Sequence, residues 1–141
     1  MRASSTLIQA IKKFEGVSLS AYQDSKGVWT IGYGHTKDVK KGDRITQYQA
    51  EQFLREDLQQ FEAIANKVKR SATQGKFDAV LDFIYNCGPA NFESSTLKKY
   101  IEVGKATWEI QEQFLRWVNS GGKKLGGLVS RRIWEANRFN E

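Results

Sequence analysis

The sequence predicts an α+β fold in which helix dominates. Three observations carry this. Apolar residues recur at helical spacing through most of the chain after residue 46. Between residues 19 and 35 the pattern switches to β-branched and aromatic runs around a turn. Proline occurs once, at Pro89, and no long Ser/Gly run interrupts, so neither a linker nor a disordered segment is expected.

The elements follow in order. Leu7, Ile8, Ile11 and Phe14 share one helical face, which predicts a helix over 6–15, with Ser4, Ser5 or Thr6 as N-cap. Gly16 supplies the left-handed turn that ends it. Glu15 therefore sits at the negative end of a helix macrodipole, where a structural sequence would prefer Lys. "LSAYQD" and "VWTIGYG", joined by "SKG", predict a small antiparallel sheet. Gly32 and Gly34 weaken its second strand as packing material but allow unusual dihedrals or a close approach by another backbone.

Thr46 and Gln49 form a capping box that opens a long helix over about 47–69. A second helix is expected over 74–87, ending near Gly88-Pro89. Shorter ones follow at 96–103 with Gly104 as stop, at 105–118 stopped by Gly121-Gly122, and at 126–139.

With 141 residues the chain is one domain by length, and four Trp, five Tyr and eight Phe can fill its core. Trp108, Trp117 and Trp134 are expected in that core. A single Cys and a single His exclude an internal disulfide and make a Cys/His metal site implausible. Cys87 is expected to pack as a small apolar residue. The apolar residues of "MRASSTLIQAIKKF" are broken by Gln9 and Lys12, so no export signal or membrane span is read there. The net charge of +6 suits a polyanionic partner, though scattered basic residues also describe an ordinary solvated surface.

Glu15, Asp24 and Thr30 come from a helix end, a strand end and a second strand. Two carboxyl groups facing one bond are the minimum for cleaving a glycosidic linkage: one protonates the leaving oxygen, the other activates water or stabilises an oxocarbenium ion. A hydroxyl beside the second would hold the water. Glu15 is the better acid, because the helix C-terminus and the apolar neighbours Phe14 and Val17 should raise its pKa. Lys12 and Lys13 work against that unless they point into solvent.

"FEGVSLSAYQDSKGVWTIGYGH" resembles the catalytic segment of the phage lysozymes, or endolysins, of glycoside hydrolase family 24. Eight residues separate Glu15 from Asp24, five separate Asp24 from Thr30, and Gly32-Tyr33-Gly34-His35 follows. "ITQYQAEQFLREDL", "FDAVLDFIYNCGPANFESSTL" and "GLVSRRIWEANRF" extend the likeness almost end to end.

The resemblance implies a lysozyme-like two-lobed fold: a lobe with helix and small sheet over about 14–46, a connecting helix over about 47–69, and a helical lobe over about 70–141 joined by the N-terminal helix. It implies a muramidase that cleaves the β-1,4 bond between N-acetylmuramic acid and N-acetylglucosamine in bacterial peptidoglycan with inversion, needing no cofactor and no metal. Glu15 would be the general acid, with Asp24 and Thr30 positioning the attacking water. His35 and Asp57 would form a structural pair, and Asn86 would contact substrate. The expected protein is a monomer with no specific nucleic-acid partner and no stable membrane insertion. It would be held in the host cytoplasm until a separate holin releases it to the wall. The alternative reading is a lytic transglycosylase giving 1,6-anhydro products, which would not need Asp24 and Thr30 in register.

Overall fold

The computed structural model describes residues 1–120, 123–124 and 126–141. Seven helices and two small antiparallel sheets are present among them. Their order is α1 (Ser5–Glu15), β1 (Ser18–Gln23), β2 (Trp29–Gly32), α2 (Gln47–Asn66), α3 (Gln74–Cys87), α4 (Pro89–Glu93), α5 (Thr96–Val103), α6 (Thr107–Leu115), β3 (Asn119–Ser120), β4 (Lys123–Lys124) and α7 (Gly126–Phe139). The mostly helical α+β class is as the periodicity predicted.

The chain divides into two compact units. One is Ser5–Gln60; the other is Phe61–Glu141 together with Met1–Ser4. In the first unit α1 buries Leu7, Ile8 and Ile11 of the face read from its spacing, and Ala10 beside them, while Phe14 is half-buried. β1 pairs antiparallel with β2 in the register Tyr22 to Thr30 and Gln23 to Trp29, with a register shift toward Ser18 and Gly32. The predicted close approach occurs at Gly32. Its φ is +66°, and a Cβ there would lie 3.5 Å from Ala50 of α2. The capping box of α2 forms in both directions: Gln49 N–H donates to Thr46 Oγ1 at 3.1 Å, and Thr46 N–H to Gln49 Oε1 at 2.9 Å.

In the second unit α3 is buried on nearly all sides, from Phe77 through Ile84. Phe83 is the hub, with edge-on contacts to Phe92 at 5.9 Å, Phe114 at 6.0 Å and Trp117 at 5.3 Å. An all-round buried helix leaves no wet face for its charged residues. Asp78 and Asp82, one turn apart and fully buried, are instead paired from α7: Arg138 Nη2 reaches Asp78 at 2.8 Å and Arg131 Nη2 reaches Asp82 at 2.7 Å. The two arginines are seven positions apart, two turns on one face.

Four differences from expectation are present. The long helix ends at Asn66 rather than near residue 69. The helix expected over 105–118 is shorter at both ends. Pro89, read as a helix stop, opens α4, because a proline at the first helical position gives up only an N–H that has no intrahelical partner. Trp108, expected in the core, is 64 % exposed. The Gly121-Gly122 stop lies outside the described residues.

Candidate active site

Glu15 is the last residue of α1. Gly16 follows at φ +66°, its N–H donating to Lys12 O at 3.1 Å, so the helix closes as its sequence requires. The apolar wrapping expected from Phe14 and Val17 is not met: Glu15 is exposed and Val17 is 47 % exposed. The carboxylate instead lies beside the glycine turn that follows β2. A side chain at Gly34 would begin 3.7 Å from Glu15 Oε2, and Gly34 has φ +90°. This neighbour carried no separate signal in the sequence.

The lysine concern is resolved by geometry. Lys12 Nζ turns to Glu51 of α2 at 3.0 Å and lies 5.9 Å from the ring centre of Tyr33. The Glu51 carboxyl is held below its ordinary range, first by the hydrogen bond from Lys12 and then by that from Arg55. Lys13 is exposed.

Asp24 closes the β1–β2 turn. Its Oδ1 accepts from Lys26 N–H at 2.8 Å and from Val28 N–H at 2.9 Å. Its main chain pairs with the same turn: Asp24 N–H donates to Val28 O at 2.9 Å. One oxygen is thereby pinned by backbone, and among the described residues no hydrogen bond to Oδ2 is present. Thr30, 4 % exposed, lies on β2, and its hydroxyl donates to Val28 O at 2.9 Å. That bond uses the hydroxyl proton and leaves Oγ1 able to accept. Val28 is thus the shared anchor: its N–H fixes the carboxylate and its carbonyl orients the hydroxyl.

His35 doubles back on β2 through paired backbone bonds with Ile31 at 2.8 and 2.9 Å. The ring stacks on Phe53 of α2, centroids 4.2 Å apart. Its Nδ1 faces both Asp57 oxygens, at 2.9 and 3.0 Å. Burial pushes the Asp57 carboxyl up, against the opposing pull of the His35 hydrogen bond. His35 and Asp57 thus meet, and with Glu15, Asp24 and Thr30 they belong to one compact unit.

Asn86 belongs to the other unit. Its Oδ1 accepts from Arg132 Nη2 at 2.7 Å. Arg132 is fully buried and also donates to Glu135 Oε2 at 2.9 Å, with its Nη1 against the Cys87 sulfur. Cys87 therefore borders an ionic cluster, where an apolar packing role was expected. Burial pushes its thiol pKa up despite the nearby Arg132 charge.

The phage lysozyme family model matches residues 12–135. The chain belongs to the phage lysozyme family. The endolysin of Acyrthosiphon pisum secondary endosymbiont phage 1 is 42% identical over 144 residues, covering 99% of this chain and 98% of that protein. The solved endolysin of Escherichia coli O157:H7 phage FAHEc1 superposes with a TM-score of 0.88 at 39% identity, over 99% of this chain and 93% of that one. The muramidase domain of SpmX from Asticaccaulis excentricus gives 0.90 at 31%, over 99% and 98%. The chain spans only 55% and 54% of two further endolysins that it matches, those of Bacillus phages PZA and B103. The lysozyme-like architecture read from the motif is shared with the two solved structures.

Proposed function

We propose that the chain is a lysozyme-type glycosidase of bacterial peptidoglycan that cleaves the β-1,4 bond after N-acetylmuramic acid with inversion, using water as nucleophile. The observation that carries the mechanistic part is the Val28 anchor. Asp24 has one oxygen held by backbone and a second facing no protein donor among the described residues, while Thr30 has spent its proton on Val28 O. Two acceptors so prepared match the two hydrogens of one water, leaving a lone pair of that water for the anomeric carbon. Glu15 gives its proton to the glycosidic oxygen, the bond from the anomeric carbon to that oxygen breaks, and the water oxygen bonds to the carbon from the opposite face. The water proton passes to Asp24, and exchange with solvent restores both carboxyl groups.

The remaining roles follow from this reading. Asn86 contacts the glycan through its side-chain N–H2, since its oxygen is held by Arg132. His35 and Asp57 are structural. The enzyme works as a monomer and reaches the wall when a holin opens the way. No helix among the described residues is long and apolar enough to cross a membrane.

The test is the product. Mass spectrometry of digested peptidoglycan should find reducing N-acetylmuramic acid ends, and proton NMR of a fresh digest should find the α-anomer first. Predominant 1,6-anhydro ends would assign a transglycosylase and remove the water-holding role from Asp24 and Thr30.

A further inference from the structure

The unit built on Phe61–Glu141 carries a cavity of about 500 Å³ that the reaction does not use. Three cations from three segments line it: Arg70 from the α2–α3 connection, Lys76 from the first turn of α3, and Lys105 just after α5. Some basic residues of the chain are paired with carboxylates, among them Lys98 with Glu93 and Glu102, and Arg138 with Asp78 and Glu141. Among the described residues, none of the three cavity cations has a carboxylate partner. Arg70 gives only its Nε to the Glu102 carbonyl at 3.2 Å. Lys76 lies 5.6 Å from the centre of the Phe139 ring and Lys105 5.4 Å from that of Tyr100.

Arg70 also holds a left-handed backbone, φ +62°, where Gly or Asn would be less strained. Its guanidinium is laid against Gly104, where a Cβ would come within 3.3 Å of three side-chain atoms of Arg70. The acid at the rim, Glu141, has its side chain held by Arg138 at 2.9 Å. The floor is apolar: Ile101, Ile110 and Phe139 are 1 %, 5 % and 3 % exposed.

We propose that this cavity binds a sugar phosphate, the phosphate among the three cations and the sugar over the apolar floor. A phosphate offers up to two charges and three terminal oxygens, one for each cation. A carboxylate offers one charge and two oxygens. The volume lies within the roughly 300–1,000 Å³ of small-molecule sites. The binding stands independently of the reading of the Glu15 segment.

The test is a ¹H–¹⁵N NMR titration of the full chain with glucose 1-phosphate, inorganic phosphate, glucuronate and glucose. Glucose 1-phosphate should give saturable shifts confined to amides around 70–76 and 101–110. Inorganic phosphate should bind the same place more weakly, and glucose not at all. Arg70→Gln, Lys76→Gln and Lys105→Gln should each weaken the binding roughly tenfold to a hundredfold, as expected for one charge-assisted hydrogen bond. Their melting temperatures should stay at the parent level. Glucuronate binding as tightly as glucose 1-phosphate would overturn the phosphate assignment. Equal binding of inorganic phosphate would overturn the role of the apolar floor. The absence of saturable shifts, or variants that bind as the parent does, would overturn the site.

Discussion

At Glu15 the conservative change to Gln keeps size and loses only the transferable proton. Glu15→Gln should therefore lower the lysis of outer-membrane-stripped cells by about 10²–10⁴-fold while the melting temperature stays at the parent value. Substantial residual activity would take Glu15 out of the mechanism. The His35–Asp57 pair obeys a different logic. Because burial raises Asp57, the folded protein keeps that proton to higher pH than the unfolded chain does. Over the window from the ordinary Asp value up to the raised one, the native state binds more protons, so stability falls as pH rises. Removing the His35 partner should push Asp57 further up and widen that window. His35→Asn should then cost about 1–3 kcal/mol near neutral pH, shrinking as pH falls into the range where Asp57 is protonated, with specific activity less affected. Thermal melts of parent and variant across pH decide this; a loss that grows toward acid pH would refute the linkage. That His35 and Asp57 meet was implied by the family resemblance and not by their spacing. Phe53 under the His35 ring, Glu51 on Lys12 and Gly34 beside Glu15 were not legible, because each is a contact across elements that no single sequence displays.

Among elements, α3 and α7 depend on charge pairs placed where a helix has no solvent. Asp82 and Glu135 sit in one buried cluster and titrate in opposite senses. Burial alone would raise Asp82, but the Arg131 charge and the hydrogen bonds to it outweigh that and hold its carboxyl low. Burial and the Asp82 charge push Glu135 up well above the carboxylate range. The Arg132 guanidinium lies along the same carboxyl, with Nε 2.7 Å from Oε1 and Nη2 donating to Oε2 at 2.9 Å. Two variants should therefore differ sharply. Asp82→Ala takes from the buried Arg131 the carboxylate that it grips through Nε and Nη2 and should cost about 3–5 kcal/mol. Glu135→Gln, which mimics the protonated acid, should stay within about 1 kcal/mol in denaturant unfolding. Equal losses would mean that Glu135 is ionised in the fold. A third change tests helix packing alone. A Cβ at Gly75 would lie 2.5 Å from the main-chain oxygens of Arg138 and Glu141, so Gly75→Ala should cost about 1–3 kcal/mol in the same assay. The longer elements were legible because their period repeats. The strands of β3 and β4 have two residues each, too few to show any period, and α4 was hidden by the proline that starts it.

Over the whole molecule the 22 Lys and Arg exceed the 16 Asp and Glu by six, and this excess was visible before any fold was. What composition could not show is where the excess lies. Arg55, Lys98, Arg131 and Arg138 are tied to carboxylates, so the field felt by a partner comes from those that are not, Arg70, Lys76 and Lys105 among them. Such a field acts on encounter rather than on bond cleavage. An anionic wall should therefore be attacked more slowly as salt rises, since the screening length drops from about 30 Å at 0.01 M to about 3 Å at 1 M. Hydrolysis of a short N-acetylmuramic acid–N-acetylglucosamine oligosaccharide with its lactyl groups amidated, uncharged so that no field assists its approach, should change little over the same range. Paired rates on walls and on the oligosaccharide measure this directly. A loss of about tenfold on walls with an unchanged oligosaccharide rate assigns the basic excess to wall association. Equal losses on both substrates would place the salt effect in the active site itself.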